Sequence, residues 1–255
     1  MCILGWDNTI HPVKAVGTTL ACCGVPTTDI REVKNIWRVC KTTKEQLERL
    51  HAKFKMLIWT MHIQEDNERQ FVQELQKGKV QMGSNDSYCP NTKQGTHGHD
   101  RLELHNYDYF LEGFTGSPAS NKDEMSSLPT EHFGMVAVLL VLLAVTYKVL
   151  HIEKGIIHLD NEEVTKRGNN KKTAYKLSEF CKKDYNLICL TKKIITELPI
   201  GKVVFKWIKG HQETTEENSE ETQLITLNNR CNELARKAYT LKSPVQQDKG
   251  QHIGG

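Results

Sequence analysis

The chain has 255 residues, enough for one large domain or two small ones. With 38% hydrophobic and 25% charged residues it has the composition of a packed globular protein, which excludes wholesale disorder. A net charge of +3 is too small to identify a nucleic-acid partner by itself.

Along the chain, the first 28 residues read as irregular, with Gly17, Cys22, Cys23, Gly24 and Pro26 as breakers. Residues 29–61 carry helical spacing through Val33, Ile36, Trp37, Leu47, Leu50, Phe54 and Leu57, and Glu65 to Gln76 suggests a second amphipathic helix that stops near Gly78. Residues 1–78 are therefore expected to be mostly helical, with no role that their chemistry reveals. From Lys79 the pattern changes. Lys79 to Tyr88, Gly95 to Leu104 and Asn106 to Gly113 read as three short strands separated by turn residues. A helix over 130–150 follows, then a strand at Gly155 to Asp160 and a short helix from Asn161. Helical sequence is expected around Ala174 to Cys181 and Asp184 to Glu197. A strand at Gly201 to Ile208 and a helix at Leu227 to Thr240 close the order.

The apolar run Met135 to Val145 is shorter than the roughly 20 residues that span a bilayer, so it reads as a buried core helix and no membrane partner is expected, with a membrane anchor over 133–150 as the lesser alternative. The eight cysteines form neither CxxC pairs nor Cys/His clusters with zinc-ligand spacing. They read as reduced thiols of an intracellular protein, without a choice between nucleus and cytoplasm; no secretory leader pattern opens the chain. Lys166 to Lys183 is densely basic, with a single acidic residue, and is a candidate contact for phosphates.

Three segments carry chemistry. Ser127-Leu128-Pro129-Thr130-Glu131 opens the long helix, with Ser127 as an expected cap and Glu131 in its early turns. Ile157-His158-Leu159-Asp160-Asn161 ends a buried-type strand in a carboxylate, where open α/β sheets place their sites, although Asp160 or Asn161 is equally suited to cap the next helix. Lys206-Trp207-Ile208-Lys209-Gly210-His211-Gln212 is followed, after an acidic loop, by Asn228-Asn229-Arg230-Cys231-Asn232-Glu233-Leu234-Ala235.

Together these segments resemble the ribonuclease H type 1 domain, particularly the version attached to retroelement reverse transcriptases. The resemblance covers roughly residues 80 to 240. It implies an α/β fold: a ribonuclease H-like mixed five-stranded sheet flanked by helices over 79–242. The N-terminal mostly helical extension precedes that domain and a polar tail, 243–255, follows it. It also implies a magnesium-dependent endonuclease that cleaves the RNA strand of RNA–DNA hybrids, using four acidic positions that hold two ions about 4 Å apart. Glu131 and Asp160 match two of those positions, and His211 matches a mobile histidine that assists proton transfer or product release. The first acidic position falls on Asn85 in the ungapped register of Ser84-Asn85-Asp86-Ser87; Asp86 would serve through a bulge, since adjacent strand residues face opposite ways. The fourth falls on Asn232.

Two asparagines at four acidic positions predict weakened or single-metal binding and reduced cleavage, which restoring aspartate at 85 and 232 would raise. The partner expected is nucleic acid, either RNA–DNA hybrid or duplex RNA, with no small-molecule cofactor. A non-catalytic nucleic-acid or protein-binding module that keeps only the fold is the alternative.

Overall fold

A computed structural model describes residues 2–4, 10–16, 19–22, 34–35, 37–50, 58, 60–63, 68–78, 80–89, 94–103, 111–115, 127–147, 152–170, 175–176, 185–210, 212 and 219–240. Its main sheet has six strands. They are β4 (Thr60–Ile63), β5 (Val80–Cys89), β6 (Gln94–Glu103), β7 (Leu111–Thr115), β8 (Ile152–Leu159) and β10 (Ile200–Trp207), in the order β10-β8-β5-β6-β7-β4. β10, β8 and β5 run parallel, and β5, β6, β7 and β4 pair antiparallel. A second sheet, in the order β1-β2-β3-β9, joins β1 (Cys2–Leu4), β2 (Ile10–Val16), β3 (Thr19–Cys22) and β9 (Tyr175–Lys176). The architecture is α/β, a mixed sheet flanked by helices.

Three expectations are corrected here. The main sheet holds six strands where five were expected, because β4 comes from the first third and pairs with β7. Among its described residues that first third is not mostly helical. It carries four strands, and the expected helix over 29–61 is interrupted within its described part: α1 spans only Thr43–Glu48, capped by the Thr42 hydroxyl, and Thr60–Ile63 is extended. Tyr175–Lys176 is strand where helix was expected. For β4 and β9 a distant strand supplies the ladder partner, and such pairing outweighs weak local preference.

The core helix is α3 (Ser127–Thr146), in which every residue from Pro129 to Thr146 is buried. It is the one helix among the described residues long and apolar enough to cross a membrane, and here the surrounding protein covers it almost completely. It packs on one face of the sheet with α2 (Glu68–Gln76) and α5 (Tyr185–Glu197). Trp37, Leu47, Leu50, Phe71 and Leu75 join the same cluster as Val80, Met82, Ile157 and Leu159, so residues on both sides of position 78 share one core. Polar ties reinforce this. Trp37 donates to the Gln46 carbonyl, Tyr147 donates to the Lys34 carbonyl, and Lys34 pairs with Glu197 at 2.7 Å.

α6 (Glu220–Thr240) covers the other face of the sheet. It approaches so closely that a Cβ on Gly83 would sit 2.8 Å from Leu227 Cγ and 3.1 Å from Cys231 Sγ. The contact fixes the phase of β5: Gln81, Gly83 and Asn85 face α6, whereas Val80, Met82, Ser84 and Asp86 face α3. α4 (Glu162–Asn169) begins directly after β8, with the Asn161 side chain accepting from the Glu163 and Val164 amides. Asn161 is therefore the cap, and the Asp160 carboxylate is left for another task.

Candidate metal centre

Asp86, Glu131 and Asp160 offer carboxylate oxygens that all lie within 4.8 Å of one another. Each arrives on a different element: Asp86 on β5, Glu131 from the first turns of α3, and Asp160 just past the end of β8. β5 and β8 are adjacent and parallel, with Ser84 opposite Leu159, so both strands deliver their acids at the same edge.

Asp86 reaches the pocket without a bulge. The β5–β6 register runs unbroken through Ser84↔His99, Asn85↔Gly98, Asp86↔His97 and Ser87↔Thr96. The ungapped placement of Asn85 at the first acidic position is thereby corrected. Asn85 is buried on the opposite face, where its Nδ2 donates to the Asn228 side-chain oxygen at 3.2 Å and to the Asn228 carbonyl at 3.4 Å. The apolar residues Val80 and Met82 carried the signal for this phase, because even-numbered positions continue from them to Asp86.

Asn232 lies on α6, one turn beyond Asn228, and among the described residues no His, Cys, Asp or Glu of that helix joins the carboxylate cluster. His211 lies outside the described residues, as does most of the basic 166–183 stretch. Of its first members, Lys166 and Arg167 form ion pairs with Glu162 and Glu163 one turn back on α4.

Glu131 is completely buried, and neither of its carboxylate oxygens has a well-formed hydrogen bond, the nearby Asp86 and Asp160 backbone amides favouring its charged form only as minor contributions; Asp86 Oδ2 is likewise unpartnered. Burial first, then the Asp160 and Asp86 charges, hold the Glu131 carboxyl well above its ordinary range. Burial and the neighbouring Asp160 push Asp86 up to about 7, against a hydrogen bond from Ser127 that favours its charged form. Ser127 thus touches the site as well as opening the helix. Buried, converging, unsatisfied carboxylate oxygens are costly alone and suit a hard divalent cation such as magnesium or manganese, which prefers oxygen ligands. The residues present fit such an ion.

His158, two residues before Asp160, lies on the other side of the sheet. It stands opposite Gly83 in register and so shares the α6 face. Both its ring nitrogens are buried without a partner. Burial and then Lys206 lower its pKa to about 4, with Glu220 opposing, so it is neutral at physiological pH.

These shifts act on stability in opposite directions. Raised carboxyls bind protons in the folded chain that the unfolded chain has released, so they destabilise as pH rises. The lowered His158 stabilises as pH rises from about 4 to its ordinary 6.5, and contributes nothing further above that. In EDTA, the urea midpoint is expected to fall between pH 6.5 and 8, where of these shifted groups only the carboxylates remain in play. Excess Mn²⁺ should flatten that fall and Asp86→Asn should reduce it. A midpoint rising over this interval would contradict the burial of charge at the pocket.

No protein-family model matches the chain, and no curated protein sequence does. Solved structures similar to it include the N-terminal RNase H domain of Rv2228c from Mycobacterium tuberculosis, fused to maltose-binding protein (10% identity, 67% of this chain and 97% of that one, TM-score 0.42). RNase H1 from the halophilic archaeon Halobacterium salinarum is another (11% identity, 63% and 97%, TM-score 0.38). A third is LC11-RNase H1 in complex with RNA/DNA hybrid (16% identity, 63% and 96%, TM-score 0.42).

Proposed function

We propose that this chain is a ribonuclease H-like, nucleic-acid-binding protein of retroelement ancestry that cleaves the RNA strand of RNA–DNA hybrids at the Asp86–Glu131–Asp160 pocket. The observation that carries the reading is the convergence of three carboxylates, two with unpartnered oxygens, at the edge where two parallel strands end. The segments around Glu131, Asp160 and the Lys-Gly-His motif support it independently, since they resemble that family in order and spacing.

Asp86, Glu131 and Asp160 would hold the magnesium. When bound, the ion supplies polarisation of the phosphate and a more acidic water. The protein's own share is to orient the ligands on rigid elements and to release their protons as the ion binds. His211, next to Gly210 in the chain, is the proposed proton carrier. Asn232 at the fourth acidic position leaves one anionic ligand fewer than the family pattern, so turnover is proposed to be slow and the second ion weakly held. Lys and Arg of the 166–183 stretch are proposed to contact phosphates, and the A-form geometry with its 2′-hydroxyls to distinguish hybrid from DNA duplex. The cysteine pattern supports an intracellular location.

The test is cleavage of an end-labelled hybrid in Mg²⁺ or EDTA, beside the DNA duplex of the same sequence. Slow, Mg²⁺-dependent loss of the RNA strand alone is expected. Salt-sensitive hybrid binding without cleavage would instead favour a binding module, and neither activity would overturn the reading.

A further inference from the structure

Two of the three pocket carboxylates stand on regular backbone. Asp86 is inside the paired length of β5 and Glu131 is inside α3. Asp160 is not, because the β8 ladder ends with Leu159 opposite Trp207 and Ser84, and α4 starts two residues later. It is the ligand whose place depends most on contacts outside secondary structure. Like charges within 4.8 Å also press it outward whenever the group is ionised and no cation is bound.

The segment leaving β10 supplies such contacts. The Ile208 amide donates to the Leu159 carbonyl at 2.9 Å, and Trp207 Nε1 donates to the Asp160 carbonyl at 3.0 Å. Gly210 lies against the carboxylate itself: a Cβ there would be 3.0 Å from Oδ2, 3.6 Å from Cβ and 3.7 Å from Cγ of Asp160. The indole is 50% exposed, one of two large apolar side chains so exposed among the described residues, so core packing does not account for it. Its N–H bond to the residue that carries the ligand does.

We propose that Trp207 and Gly210 are positioning residues for Asp160, and that the end of β10 thereby sets the pocket's affinity for a divalent cation. The proposal rests on the reading of the pocket as a cation site. Trp207 holds the backbone of the ligand and Gly210 leaves room for its carboxylate while walling one side of it. Partners that orient a metal ligand in this way typically change affinity 10–100-fold when removed.

The full chain, with Mn²⁺ as the probe in calorimetric titration and unfolding followed in EDTA, tests this. Trp207→Phe keeps a ring and loses only the N–H; Gly210→Ala crowds Oδ2. Each should raise the Mn²⁺ dissociation constant about tenfold while leaving the EDTA unfolding temperature unchanged, with Asp160→Asn as the reference for ligand loss. Wild-type affinity in both variants, beside a clear loss in Asp160→Asn, would overturn the positioning role and leave the pocket intact. Weakening only in step with lost stability in EDTA would also overturn it. A wild-type chain that takes up no Mn²⁺ would instead remove the pocket reading and the proposal with it.

Discussion

Glu131→Gln is expected to abolish the stabilisation of this protein by Mn²⁺ or Mg²⁺, and hybrid cleavage with it, while making the metal-free protein more stable. Glu131 is completely buried beside Asp86 and Asp160, with no well-formed hydrogen bond to either oxygen. Ionising it inside the fold is costly, which is why its pKa is raised. Glutamine has nearly the same shape and carries no charge. In EDTA the variant should therefore gain up to about 1–4 kcal/mol, the range seen when a buried ion pair is replaced by well-packed hydrophobic residues of similar volume. The gain should grow from pH 6 to 8.5, as wild-type Glu131 is driven toward its charged form. With cation at 100 times its dissociation constant, the wild type gains about 2.7 kcal/mol by mass action, and the variant should gain almost none. Cleavage should drop by two orders of magnitude or more, since loss of a ligand's outer partners alone costs about 10–100-fold. Thermal unfolding with and without cation, together with the hybrid assay, measures both halves. A variant less stable than wild type in EDTA at pH 8 would mean that Glu131 is a structural group rather than a strained ligand.

Asn85→Asp should destabilise the protein by about 2–4 kcal/mol at neutral pH and should not raise cleavage. Sequence reasoning predicts the reverse, a restored ligand. The side chain is buried and its Nδ2 donates to two oxygens of Asn228. Aspartate would place an acceptor against those acceptors and bury a charge with no cation near it. The loss should shrink as pH falls and the new carboxyl protonates. Denaturant titration at pH 4.5 and 7.5 separates this outcome from a generic packing defect, which would not depend on pH. Increased Mg²⁺-dependent cleavage in Asn85→Asp would show that Asn85, not Asp86, lines the pocket.

Much of the framework was legible without coordinates because its signals are local. The run from Met135 to Val145 is apolar on all sides, which specifies a buried helix. Asp160-Asn161 before Glu162-Glu163 marks a helix start, so the preceding strand had to end by Asp160, and β8 stops at Leu159. Gly78, at φ +69°, closes α2 where glycine was read as a stop. The first third resisted the same treatment. Thr60–Ile63 is extended because β7 offers it a ladder, and nothing within those four residues announces a partner some fifty positions away.

By itself the sequence determined the core helix, two of the pocket's acids and the order of elements from β5 onward except β9, since each follows from periodicity, caps and breakers close in the chain. Val80 and Met82 hint at which neighbour, Asn85 or Asp86, faces the pocket, but only the tertiary structure decided it, and decided that the ends of β5, β8 and β10 meet there. Ser84-Asn85-Asp86-Ser87 is polar throughout and carries no phase of its own. The phase is set by Gly83 lying against Leu227 and Cys231 of α6, a helix more than a hundred residues later.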